Sequence, residues 1–214
     1  DGLSLLPDHL DTLGIRRPLL VLSEDAVSTE RTRELVNKAL ARVQHAVFTG
    51  FTPNPTIEEC TAAASAARAY EADGIIAIGG GTAIDIGKLA AIGANDPLRL
   101  TPGRISDEST SRAALPIVAV PTTAGTGAEA THFAAVYIDG IKKSVASPEL
   151  LPGLAVLETS FQLTMPRSLA AVTGLDALCQ SLESAWAVEG GDRSRSLALR
   201  GGRLIANSLQ RSVL

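Results

Sequence analysis

Short, continuously apolar runs alternate with longer amphipathic stretches through the first half of the chain. The runs at residues 18–22, 46–48, 74–78 and 115–120 are built mostly from Val, Ile, Leu, Ala and Phe, with no apolar–polar alternation. Strands covered on both faces of a parallel sheet read this way. Between them, residues 28–43, 56–70 and 82–93 read as helices. Strands alternating with helices predict βαβ units and an open, mostly parallel, Rossmann-like sheet.

The pattern changes after Pro121. Residues 133–138 and 142–146 flank Asp139-Gly140, a strong hairpin-turn signal. From Pro166 the chain reads helical, with candidates at 167–188 and 193–213 separated by Gly190-Gly191. Asp192 or Ser194 is available to cap the second of these. The expected organisation is an α/β domain over residues 1–160 and an all-α domain over 161–214, of which only the start is present. Two helices bury too little surface to stand alone. They are expected to continue into further chain, or to pack on the α/β domain or a partner.

Composition narrows the function classes. The chain has 214 residues and a net charge of −4, and 45% of its residues are apolar. The acidic balance argues against a nucleic-acid partner, which favours a basic face. No run of about 18 apolar residues exists, so no membrane span is expected. The first residues lack the basic and apolar regions of a signal peptide. Cys60 and Cys179 form no CxxC pair. This favours a reducing compartment, with the cytoplasm as the default.

Two loops carry candidate chemistry. Gly79-Gly80-Gly81-Thr82 follows the third strand and opens a helix. Backbone N–H groups and the helix dipole at such a turn suit a pyrophosphate, and glycine permits its close approach. Thr82 can cap that helix, and Asp85 and Lys88 share one of its faces. A tight turn without a ligand fits three glycines equally well, and the spacing is not GxGxxG. The second loop, residues 121–131, follows the fourth strand and is rich in Thr and Gly. In an open α/β sheet that is where ligands bind, although a plain helix-capping loop has the same composition.

The segment from Gly79 to Lys88 resembles the GGGSxxDxxK pattern of iron-type alcohol dehydrogenases. Pro121-Thr122-Thr123-Ala124-Gly125-Thr126-Gly127-Ala128-Glu129 resembles their PTTxGTGSE, with Ala128 in place of Ser. Asn54-Pro55-Thr56 resembles their NPT loop, and Lys142-Lys143 with Pro148 resembles the stretch before the metal helix. The resemblance covers about residues 13–214. It implies a dehydroquinate synthase-like architecture, with a cofactor site formed by Ser23, Asn54, Gly79, Gly80, Gly81, Thr82, Asp85, Lys88, Thr122, Thr123, Thr126 and Lys143. Many relatives have Thr-Asp after the first strand, where this chain has Ser23-Glu24. NAD and NADP both remain open.

Residues 174–183 resemble the family's GxDALxHxxE helix, in which the Asp and the His four residues later hold a metal. Positions i and i+4 project side by side on a helix. Here they are Asp176 and Gln180, the expected catalytic pair through a divalent Fe²⁺ or Zn²⁺. A Gln oxygen is a harder and weaker ligand than imidazole. His9, His45 and His132 do not match the family's other ligand positions. The stretch from Asp176 to Val188 resembles a DALxQxxESxW pattern of phosphonoacetaldehyde reductases. The implied function is a metal-dependent, NAD(P)-dependent alcohol dehydrogenase or aldehyde reductase acting on a small molecule. Reduction of phosphonoacetaldehyde to 2-hydroxyethylphosphonate is the specific form, and a homodimer is expected. The alternatives are a dehydroquinate synthase-like lyase and a non-catalytic nucleotide-binding relative.

Overall fold

The structure is a computed structural model that describes residues 2–101, 104–105 and 113–213. In chain order its elements are α1 Leu6–Leu13, β1 Pro18–Leu22, α2 Glu30–Leu40, β2 Ala46–Phe48, α3 Ile57–Tyr70, β3 Gly74–Gly79 and α4 Gly81–Asn95. They continue with β4 Ile117–Pro121, β5 Phe133–Ile138, β6 Ile141–Ala146, β7 Leu154–Ala155, α5 Thr159–Gln162, α6 Arg167–Trp186 and α7 Asp192–Val213. Five strands form a parallel sheet in the order β2-β1-β3-β4-β7. β5 and β6 form a separate antiparallel hairpin. The fold is an α/β domain followed by helices, as in the dehydroquinate synthase-like architecture.

The absence of alternation in the strands has a direct cause. Leu19, Val21, Ile75, Ala77, Ile117 and Ala119 face one core, beneath α3 and α4. Leu20, Ile76, Ile78, Val118 and Val120 face the other, with Leu6, Leu10, Val36, Leu40 and Phe161. Both faces are dry, so every position is apolar. The α3–α4 seam is lined by small side chains, including Ala63, Ala64, Ala90 and Ala91. A Cβ on Gly87 would lie 2.9 Å from that of Ala77, so α4 rides very close to β3.

Two compact units result. One comprises residues up to Thr122 together with Ala128–Phe161, and the other comprises Thr123–Gly127 with residues from Gln162 onward. The first is the α/β unit. In the second, α6 and α7 pack as a helical pair, with Gly174 against Leu209 and Gly202 against Ser181. The Thr123–Gly127 segment joins this helical unit through Gly125, where an added Cβ would sit 2.7 Å from the Thr173 carbonyl oxygen. Trp186, on α6, is 71% exposed. No helix among the described residues is long and apolar enough to cross a membrane.

Candidate functional site

The chain runs from β1 outward to β2 and then returns to β3, so the strand order reverses between β1 and β3. Open sheets of this kind bind ligands beyond the carboxyl ends of the strands at such a switch point. Ser23 follows β1, and its N–H donates to the Ile78 carbonyl (2.9 Å). The Gly79 carbonyl accepts from the Thr122 N–H (2.9 Å). Ser23, Gly79 and Thr122 therefore occupy neighbouring strand ends. A Cβ on Gly79 would lie 2.6 Å from the Ala83 Cβ and 2.8 Å from the Ser23 Cβ. The turn closes only with glycine.

The expectation that Thr82 caps α4 is corrected. Gly80 is the cap, with extended backbone (φ −74°, ψ −170°), and Thr82 lies inside the helix. Gly80 begins the helix early, and no side chain caps it. The first intrahelical bond runs from the Ile84 N–H to the Gly80 carbonyl. That leaves the N–H groups of Gly81, Thr82 and Ala83 outside the helical ladder, at the positive end of the dipole. The glycine at the close approach and these donors fit a dinucleotide pyrophosphate.

The 52–56 loop is held by a residue that sequence reasoning missed. The Glu59 carboxylate accepts from the N–H and hydroxyl of Thr52 and from the N–H of Thr56. The Thr56 hydroxyl accepts from the Glu59 N–H, completing a capping box on α3. Burial raises the Glu59 carboxyl, but the hydrogen bonds from Thr56 and Thr52 outweigh it and hold the group below its ordinary value. The signal was present as Thr56-x-x-Glu59 ahead of an apolar run. Asn54 lies in this loop with φ 68°, a left-handed conformation that Asn tolerates, and is exposed.

Asp85 and Lys88 point from α4 toward β5. Lys88 is fully buried, and its Nζ donates to the Thr131 carbonyl (2.8 Å), the Thr131 hydroxyl (3.1 Å) and the Phe133 carbonyl (2.7 Å). The Asp85 Oδ2 accepts from the Ala135 N–H (3.1 Å). Burial pushes Asp85 up to about 6, against the Ala135 hydrogen bond and the charges of Lys88 and Lys142. Burial pulls Lys88 down to about 8, against Asp85 and Glu129.

These values give a pH dependence with a definite sign. Asp85 ordinarily titrates at 3.8 and in the folded chain at about 6, so over that window the folded state binds the proton more tightly. Stability arising from this group is present at low pH and is lost as pH rises from ~4 to ~6. Asp85→Asn lacks the loss. Its unfolding free energy in urea, minus that of the wild type, is expected to climb across the window and flatten above pH ~6.

The remaining candidates lie on other elements. Lys143 is exposed on β6, opposite Val136. Thr123 and Thr126 belong to the helical unit. On α6 the Gln180 Nε2 donates to the Asp176 Oδ2 (2.8 Å), so the two side chains meet as the i, i+4 spacing requires. A half-turn of the amide places its oxygen beside the carboxylate, giving two hard donors. Among the described residues no group of three His, Cys, Asp or Glu is placed to hold a metal. The pair fits as part of a ligand set. Of the histidines, His132 packs against Phe133 with tilted rings 4.1 Å apart, and His45 bonds the Val43 carbonyl.

Comparison with known proteins gives the family. Residues 1–159 match the family model described as iron-containing alcohol dehydrogenase. The chain is 36% identical to the 4-hydroxybutyrate dehydrogenase of Cupriavidus necator over 86% of its own length and 49% of that protein. It is 30% identical to the lactaldehyde reductase of Escherichia coli (strain K12), over 97% of its length and 56% of that protein. The solved structure of sulfoacetaldehyde reductase from Bifidobacterium kashiwanohense in complex with NAD⁺ superposes with a TM-score of 0.85. That likeness is at 29% identity and covers 99% of this chain and 56% of the other. The chain spans about half the length of the relatives it matches. From the glycine turn at the switch point to the matched family model, the chain belongs to the iron-containing alcohol dehydrogenase family.

Proposed function

We propose that this chain supplies the dinucleotide-binding half, and the first metal-holding helix, of an oxidoreductase that interconverts a small aldehyde and its alcohol. The observation that carries this reading is the uncapped N-terminus of α4 behind Gly79 at the β1/β3 switch point, in a chain of this family. The N–H groups of Gly81, Thr82 and Ala83 receive the pyrophosphate. Ser23, past the end of β1, lies where a ribose hydroxyl or its phosphate is read. It carries no charge of its own, and the adjacent Glu24 favours NAD over NADP through repulsion of a 2′-phosphate. The bound nicotinamide supplies hydride chemistry. Asp176 and Gln180 offer a carboxylate and an amide oxygen to a divalent cation, Fe²⁺ or Zn²⁺, which when bound polarises a carbonyl oxygen. The roles of Asn54, Thr123, Thr126 and Lys143 belong to the same proposal, as further contacts of the nucleotide.

For the substrate we favour a short aldehyde bearing an acid group. Relatives are named for sulfoacetaldehyde and for 4-hydroxybutyrate, and both names describe a small acid-bearing chain. The Asp176–Val188 resemblance points to phosphonoacetaldehyde, reduced to 2-hydroxyethylphosphonate. The lyase alternative is disfavoured because the matched family and these relatives are named as dehydrogenases and reductases. A cytoplasmic homodimer completes the proposal. The test is oxidation of NADH and NADPH by the full chain, with Fe²⁺ or Zn²⁺ added, over a panel of phosphonoacetaldehyde, sulfoacetaldehyde and lactaldehyde. The expected result is the highest kcat/KM with phosphonoacetaldehyde and NADH. Faster turnover of lactaldehyde overturns the substrate assignment. Tight NADH binding without turnover of any aldehyde supports a non-catalytic role instead.

A further inference from the structure

β5 has one antiparallel neighbour, β6, and alternate residues of a strand send their backbone groups to opposite edges. The N–H groups of Ala135 and Tyr137 bond away from β6, so the edge carrying residues 133, 135 and 137 faces the rest of the α/β unit. Among the described residues, no strand pairs along it beyond a single bridge between Thr56 and Tyr137. An unpaired inner edge would leave buried polar groups unsatisfied. Three of these groups have partners. The Phe133 carbonyl accepts from Lys88, the Ala135 N–H donates to Asp85, and the Tyr137 N–H donates to the Pro55 carbonyl (2.8 Å).

We infer that Asp85 and Lys88 are positioning residues that stand in for a missing strand along β5, and so hold the 52–56 loop, the glycine turn and the segment before β5 in a single register. The charges match the groups they meet, since an ammonium only donates and a carboxylate only accepts. Two carbonyls and a hydroxyl face Lys88, and an N–H faces Asp85. A slip of β5 by one residue would turn these groups to its other edge, so the pair fixes register as well as distance. α4 carries the constraint, because Asp85 sits one turn beyond Gly81. Lys88 has no face left for a ligand, being fully enclosed with its ammonium bonded to three oxygens. Its effect on a dinucleotide is therefore indirect. This inference rests on the dinucleotide reading above for its functional consequence, and its structural content is independent of that reading.

The experiment is amide hydrogen exchange on the full chain, free of ligand, together with NADH titration by fluorescence. In Lys88→Met, protection at Ala135, Tyr137, Thr52 and Thr56 is expected to fall by about tenfold or more, while β1 and β3 keep theirs. The NADH Kd is expected to weaken by about tenfold as well. Should Lys88→Met fail to fold, Asp85→Ala removes a single hydrogen bond, and the same regions should lose protection. Asp85→Asn keeps an acceptor and should restore it. Weakened NADH binding with unchanged protection would show that Lys88 touches the ligand and overturns the inference. So does unchanged protection in both Lys88→Met and Asp85→Ala. Failure of the wild-type chain to bind NADH or NADPH overturns the dinucleotide reading alone, and the exchange pattern still decides the positioning role.

Discussion

Gly79→Val is expected to abolish measurable NADH binding and to lower unfolding stability by ~1–3 kcal/mol, the usual cost of forcing extra atoms into a packed site. The first Cβ already meets the Ala83 methyl and the Ser23 methylene carbon well inside contact distance. Neither neighbour can move freely. Ala83 is buried in the first turn of α4, and the Ser23 backbone is bonded to Ile78. Relief must come from lifting α4 off the strand end, which displaces the N–H groups proposed to hold the pyrophosphate. Gly153 is the control, because a Cβ there has nothing closer than 3.8 Å. Gly153→Ala should bind NADH as the wild type does. Fluorescence titration and urea unfolding read both effects. Wild-type affinity in Gly79→Val would remove the glycine turn from the site.

The second large effect concerns the metal. In the full chain, Asp176→Ala is expected to weaken Zn²⁺ or Fe²⁺ binding by on the order of 100-fold, since it removes the only charged donor of the pair. Gln180→Ala should weaken it by about tenfold, because an amide oxygen is the poorer ligand. Gln180→His should tighten Zn²⁺ binding, as imidazole suits that ion better. Metal per chain after dialysis against a chelator measures all three. Unchanged metal content in Gln180→Ala means that Gln180 makes only the hydrogen bond to Asp176 seen in the structure. The i, i+4 contact would then be a helix-surface pair and no part of a ligand set.

What could be read from the sequence, and what could not, follows from the range of the forces involved. β1, β3 and β4 were legible because burial on two faces leaves a continuous apolar run. β7 was not, since Leu154–Ala155 is too short to carry any period. The second helix was expected from residue 28 and begins at Glu30. The chain first makes a 3-10 turn over Glu24–Val27, and Thr29 is the residue that caps the helix. The glycine turn was legible because its glycines announce a close approach. The partners of Asp85 and Lys88 were not, because all but the Thr131 hydroxyl are main-chain atoms, and they lie some 43 to 50 residues away. The Pro55–Tyr137 bond is hidden for the same reason. Thr56 and Glu59 carried a readable signal, as a local pair with a fixed spacing. The membership of Thr123–Gly127 in the helical unit depends on Gly125 meeting Thr173, a contact that sequence distance conceals.

The small-residue seam between α3 and α4 constrains how this scaffold can diversify. Alanine has no rotamers to freeze, so the two helices gain close contact at low entropic cost. The same economy means that the alanines can neither shrink nor reorient to absorb a neighbour's growth. At Gly93 an added Cβ would strike both Leu100 and Ala64, and at Gly87 it would strike Ala77. Enlargement at Gly93 would push α4 away from α3, and at Gly87 it would lift α4 off β3, shifting the loops at the amino ends of these helices. New ligand preferences are thus expected to arise by exchanging residues in the loops themselves, such as Ser23 and Asn54. The seam beneath should drift only among residues of nearly equal volume.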